Sequence, residues 1–264
     1  MRKVLLWLLA IIITLSSAVY QRMTGPTYPV RSRTVFLGQE IKYRLPRSAE
    51  STGNCRIIVS LPDKLAGQVQ GFLQFKRHKS DSPWNILAMK QEGSQLVGYL
   101  PKQPPAGKLE YLVHLVSGSE ETSLTGEKPV VIRFKGRVSP TILIAHVIVM
   151  FLAMLLAVRS GLAALNRQED PTRLTRWTAV LFFIGGFILG AVVQKMAFGV
   201  YWSGFPLGTD LTDTKTLLAM LAWIAALASG RRTSPKRGWV LAASVITLLI
   251  YLIPHSLFGS ELKW

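Results

Sequence analysis

Five ionisable residues stand out against a largely apolar background: His146, Lys195, Asp210, Asp213 and His255. The chain carries 14 acidic side chains against 31 basic ones. Two of those carboxylates, Asp210 and Asp213, fall in one aromatic and glycine-rich stretch between apolar runs, FGVYWSGFPLGTDLTDTKTLLAM at 198–220. An ionisable group in or beside an apolar span is a functional candidate by default, because burying it has a cost that something must offset. Histidines on separate helices, His146 and His255, could ligate haem or a metal ion, and His146, Met150 and Met154 recur at i, i+4 and i+8, a stripe that suits a soft ion such as copper. A His/Asp pair could instead carry protons or serve a quinone. The third reading is a polar network in which Lys195 snorkels or pairs with Asp210 and the cluster clamps the helices to their loop. Methionine at helical spacing is usually packing, and no HxxxH or HxxE motif accompanies it, so the network is the expected arrangement. Asp213, just ahead of TKTLLAM, is expected to cap a helix, and Asp210, in a turn with Gly208, to form an Asx-turn.

The elements that must position these groups are apolar runs: Thr141–Val158, Trp177–Ala197, the shorter Thr214–Ala228, and Trp239 to about Phe258. Ser139 and Pro140 suit the start of the first. His146 lies about 9 Å along that helix from its start; Gln194 and Lys195 lie near the end of the second run and His255 near the end of the last, so alternating helices bring all of them to one depth. Arg159, Arg167, Arg173 and Arg176 follow the first run, and Arg231, Arg232, Lys236 and Arg237 follow the third. The positive-inside rule therefore predicts cytoplasmic loops near 159–176 and 229–238, with the 198–213 loop and the C-terminus outside. Small residues at four-residue spacing, Gly186/Gly190 and Ala153/Ala157/Gly161, predict close helix packing.

The other end of the chain gives the same topology. MRKVLLWLLAIIITLSSAVYQR has cations, an apolar run and small residues at 16 and 18, which predicts a signal peptide or an N-terminal transmembrane anchor over 1–20. Between 25 and 137 short β-like runs alternate with Gly, Pro, Asn and Asp: TVFLGQEIKYRL, CRIIVSLP, GFLQFKRH, WNILAMKQ, QLVGYLP, LEYLVHLVSG and KPVVIRFKG. They predict about seven strands and a β-sandwich. In LEYLVHLVSG, Leu109, Tyr111, Val113 and Leu115 share one face. This region resembles an immunoglobulin or fibronectin type III module, over less than half of the chain and in architecture only. FKRHKSDSPW reads as a solvated hairpin tip rather than a catalytic group, and His114 as an ordinary strand residue.

Composition sets the limits. With 49% hydrophobic and 17% charged residues in 264, the chain is too apolar for a wholly soluble protein. The net charge of +17 lies largely in residues flanking apolar runs, so lipid and not nucleic acid is the expected partner. The lone cysteine, Cys55, rules out an internal disulfide and reads as a small strand hydrophobe. No P-loop, nucleophile elbow or zinc-protease motif assigns an enzymatic reaction. The expected molecule is a mixed membrane protein: an extracytoplasmic β-sandwich over 25–137 and a four-helix transmembrane bundle over 139–264. It resembles bacterial envelope membrane proteins of the cytoplasmic (inner) membrane. The expected function is binding or assembly with a protein partner in the membrane or periplasm, the alternative being a small redox protein holding haem or metal at His146 and His255.

Overall fold

The computed structural model describes residues 2–230 and 234–254. The chain divides into a helical unit, built from the segment up to Pro26 and from Val138 onward, and a β-rich unit over Thr27–Arg137.

The β-rich unit contains β1 (Val30–Phe36), β2 (Gln39–Leu45), β3 (Ser48–Glu50), β4 (Cys55–Ser60), β5 (Gln70–Arg77), β6 (Asn85–Ala88), β7 (Lys90–Glu92), β8 (Gln95–Leu100), β9 (Lys108–Ser117), β10 (Glu120–Ser123) and β11 (Val130–Lys135). They form a two-stranded sheet β1-β2, a six-stranded sheet in the order β3-β11-β9-β5-β6 with β10 also on β9, and a three-stranded sheet β4-β8-β7. Two of the expected runs split. TVFLGQEIKYRL becomes the hairpin β1-β2 because Leu37 and Gly38 both take positive φ, 49° and 69°, as a two-residue primed turn requires. WNILAMKQ becomes β6 and β7, which belong to different sheets, with Met89 between them buried in the core. The short strands β3 and β10 carry no apolar alternation and so had no periodic signal to read.

One core draws on all three sheets, including Ile41 and Leu45, Ile57 and Val59, Leu73, Leu96, Tyr111, Val113, Ile132 and Phe134. In β9 the expected alternation holds, with Leu109, Tyr111, Val113 and Leu115 buried. Tyr111 is satisfied in the core because its hydroxyl donates to Pro46 O at 2.8 Å. His78 at the hairpin tip pairs with Glu110 at 2.7 Å, and His114 stacks on Phe72 and meets Glu121 at 2.9 Å. Both are ordinary structural partners.

The helical unit contains α1 (Arg2–Thr24), α2 (Pro140–Leu165), α3 (Thr172–Phe182), α4 (Gly190–Phe198), α5 (Leu211–Ala228) and α6 (Arg237–Leu252). A π-helical segment, Phe183–Leu189, joins α3 to α4 in one continuous rod. Among the described residues four helices are long and apolar enough to cross a membrane: Lys3–Thr24, Pro140–Leu165, Thr172–Phe198 and Leu211–Ala228. The last apolar run forms the shorter α6, of 16 residues. The N-terminal helix adds to the four expected from 139 onward and packs against α2 and α6.

Small residues set these contacts. A Cβ on Gly161 would come within 2.7 Å of Ser244 Cβ on α6, one on Gly185 would lie 2.6 Å from Met150 Sδ on α2, and one on Gly186 would lie 2.7 Å from Thr216 Cγ2 on α5. Ala153 and Ala157 are fully buried on the same side of α2. The small-residue pattern therefore serves packing within this chain. Between α5 and α6, the buried Trp223 donates its indole N–H to Thr247 Oγ1 at 2.9 Å.

Candidate functional site

The helical unit carries polar groups in two layers, one at each end of the helices. The first lies where α4 ends and α5 begins. Asp210, only 4% exposed, accepts from Thr212 N at 2.7 Å and is the N-cap of α5. Asp213, expected as that cap, has another task. Its Oδ2 accepts from Ser203 N at 2.7 Å and from Ser203 Oγ at 3.3 Å, with Gln194 Nε2 at 3.5 Å, and the Gly204 N–H donates to the same carboxylate. The first-turn carboxylate thus holds the preceding loop down, while the residue three positions earlier caps the start of the helix.

Lys215 completes this layer, and sequence reasoning passed over it. It is 5% exposed, and its Nζ donates at 2.7 Å to Ile253 O, a carbonyl just beyond the C-terminus of α6 that Gln21 Nε2 also reaches at 3.5 Å. A signal did exist. A lysine at the fifth position of an apolar helix is an ionisable group inside a span and near the unfavourable end of the macrodipole, so burying it requires a specific acceptor. Gln21 at the end of α1 adds a second donor here, to Tyr251 O at 2.8 Å.

Lys195 does not pair with Asp210 as the network reading allowed. Its ammonium donates to Gly199 O at 2.7 Å and sits 5.3 Å from the Tyr201 ring centroid, capping the end of its own helix, where a cation is favoured. His146 is half-buried on α2 with Nδ1 3.0 Å from Gly185 O. A carbonyl can only accept, so Nδ1 carries a proton, and in the neutral ring Nε2 keeps its lone pair. Gly185 lies in the π-helical segment, and the His146 ring stands beside Gly190, its Cε1 3.5 Å from where a Cβ there would lie, an ordinary contact distance. The structure therefore joins Asp213 to Gln194 and Ser203, sets Asp210 and Lys215 in the same layer, and leaves His146 on the π-segment. His255 lies outside the described residues.

Within the proposed stripe a metal or haem would be left with His146 Nε2, because the other members serve packing: Met150 lies against Gly185 and Met154 is buried among helices. Among the described residues no group of three or more His, Cys, Asp or Glu is gathered.

The second layer lies at the opposite end. Helix α2 runs on past its apolar run, which ends at Val158, because Arg159, 1% exposed, finds partners there. Its Nη2 donates to Glu169, and its guanidinium lies 5.3 Å from the Trp7 ring on α1. Ser160 meets Thr178 at 3.3 Å. Arg237, the first residue of α6, donates to Ala163 O, Ala164 O and Asn166 O at 3.1, 3.2 and 2.8 Å, and to Glu169 O at 2.6 Å. These carbonyls belong to the last turn of α2 and to its loop, so Arg237 caps α2. In that loop the exposed Asp170 accepts from Thr172 N and Oγ1, and these bonds hold its carboxyl below the usual range. No protein-family model matches the chain, and no curated protein sequence matches it.

Proposed function

We propose that the chain is an integral component of the cytoplasmic membrane which displays its β-rich unit at the outer face as a docking module for a protein partner. The cationic side chains Arg159, Arg167, Arg173, Arg176, Lys236 and Arg237 belong to the layer at the start of α1 and the end of α2. The positive-inside rule favours that layer in the cytoplasm and the Asp210 layer outside.

We read the β-rich unit as an immunoglobulin-like β-sandwich. In such folds strands C, F and G share one sheet and B, E and D the other. Here β5, β9 and β11 lie side by side in one sheet, β4, β8 and β7 make another, and both line one core. The observation that carries docking is the edge strand β6. Natural sheets blunt their edges with charge, proline or bulges, but β6 reads Asn-Ile-Leu-Ala, all four residues are exposed, Ile86 is 66% exposed, and Trp84 and Leu87 lie open beside it. An extended segment of a partner can pair with such an edge and bury these side chains. A photo-crosslinking residue at Ile86 is expected to give a discrete adduct in membranes, whereas the same residue at exposed Glu127 gives none. Equal labelling at both positions would remove the edge from the proposal.

A further inference from the structure

We propose that the loop between α4 and α5, residues 199–210, is an interfacial lipid anchor that buries Phe205 and Leu207 at the boundary of headgroups and acyl chains. The inference rests on the membrane-spanning reading above and adds to it a contact with a specific depth of the bilayer.

The loop is a built structure. Ser203 N donates to Asp213 at 2.7 Å, Phe205 N to Thr214 Oγ1 at 3.0 Å, Asp210 N to Ser203 O at 2.8 Å, and Gly208 N to Gly204 O at 2.8 Å. The Trp202 indole donates to Phe205 O at 3.2 Å. A Cβ on Gly204 would lie 2.5 Å from Asp213 Cβ, so the loop closes tightly on the first turn of α5.

This fixed loop is inverted for a surface in water. Its carboxylate Asp210 is buried, while Phe205 is 64% and Leu207 80% exposed. The exposed apolar surface also continues along the helix below. Trp202 stacks on Phe187 at 5.5 Å and 17°, and Phe187 on Phe183 at 6.1 Å and 18°, leading onto the exposed Ile184 and Ile188 of a candidate span. Tyr201 and Trp202 stand at the top of that ladder, with the exposed Lys195 ammonium over the Tyr201 ring. Aromatic rings with a polar edge, a cation at headgroup level and protruding apolar tips are the chemistry that the lipid interface rewards. A protein groove would also accept the tips, but unbroken continuity with the flank of a spanning helix favours lipid.

The test uses the full chain with Cys55→Ala, in liposomes of phosphatidylcholine and phosphatidylglycerol, with an environment-sensitive fluorophore on Leu207→Cys. Ile188→Cys on the helix flank and Glu127→Cys on the β-rich unit serve as references. The label at 207 is expected to lose emission to nitroxide-bearing lipids whose spin label sits high on the acyl chain, and to resist aqueous iodide. Quenching of 207 by iodide and not by nitroxide, while 188 is quenched by nitroxide, would overturn the anchor and leave the spanning helices intact. Protection from both quenchers would overturn it in favour of a protein cover. Failure of nitroxide to quench 188 would remove the membrane reading and the anchor together.

Discussion

Asp210 and Asp213 have the same side chain three residues apart, yet the first caps the start of a helix and the second holds a loop. Their substitutions should therefore differ from the usual expectation that asparagine replaces a capping aspartate. At Asp213 the carboxylate accepts from two successive backbone N–H groups, Ser203 and Gly204. An amide would set its own donor against one of them. Asp213→Asn is thus expected to cost about 1–3 kcal/mol, read as a lowered midpoint of unfolding in detergent; a midpoint equal to wild type would show that the loop does not need the carboxylate. Asp210→Ala should cost about 0.5–2 kcal/mol by the loss of its cap. Arg159 is more exposed to disruption in the energetic sense. Its Nε and Nη1 are buried without partners, so Glu169 and the Trp7 face are what offset its burial. Glu169→Ala should destabilise the helical unit by about 3–5 kcal/mol, and a loss under 1 kcal/mol would mean that water reaches the guanidinium. In the β-rich unit, burial pushes the Cys55 thiol up to about 11 from an ordinary value of 9.0. A raised thiol pKa means the folded state favours the protonated form. That contribution is present below the ordinary value and is lost as pH rises through about 11. Alkylation of Cys55 should be slow at neutral pH and accelerate in alkali, and Cys55→Ala should remove a step in stability between those values. Fast alkylation at neutral pH would show the thiol to be open.

At the scale of elements, periodicity and composition revealed those with strong patterns. The β9 alternation and the apolar cores of α2, α5 and α6 were all legible, because burial of one face or of a whole span imposes a pattern on the sequence. The misses have physical causes. The primed turn at Leu37-Gly38 places an ordinary residue at positive φ, which the residue type does not announce. The extension of α2 through Arg159 to Leu165 depends on Trp7 of α1, far away in sequence, and on Glu169 in the loop that follows, whose pairing with Arg159 no periodic pattern announces. The π-helical segment is equally hidden, since its residues, FIGGFIL, have no local signature. Small-residue spacing did announce close packing, and the structure supplies neighbours: α6 for Gly161, α5 for Gly186, and His146 of α2 beside Gly190, while Gly185, outside the marked spacing, meets Met150 of α2. Of these Gly161 faces the least yielding neighbour, a short side chain on a packed helix. Gly161→Ala is therefore expected to cost about 1–3 kcal/mol through overpacking. A variant as stable as wild type, with α2 and α6 still crosslinkable through cysteines at 157 and 243, would show that the seam can spread.

Across the whole molecule, the candidate site was half legible. The loop and the two carboxylates marked in the sequence lie together at the start of α5, but expected depth grouped them with His146 and Lys195, and depth does not decide which side chains meet. Lys195 turned to its own helix end and His146 to a carbonyl of the π-segment, while Lys215, unmarked, took the Asp210 layer. What emerges in the helical unit is a bundle held at both ends by side chains that satisfy helix-terminal carbonyls: Arg237 on α2 at one end and Lys215 at α6 at the other. Alternating helices explain this, because each end layer holds the start of one helix beside the end of another, and a donor at the start can reach carbonyls at the end. The orientation of that bundle in a membrane is the claim on which docking, display and lipid anchoring all depend. Paired topology reporters fused after Arg167 and after Gly208 measure it directly. The Arg167 fusion should report the cytoplasm and the Gly208 fusion the outside; a cytoplasmic signal from Gly208, or the same compartment for both, would rule the proposed arrangement out.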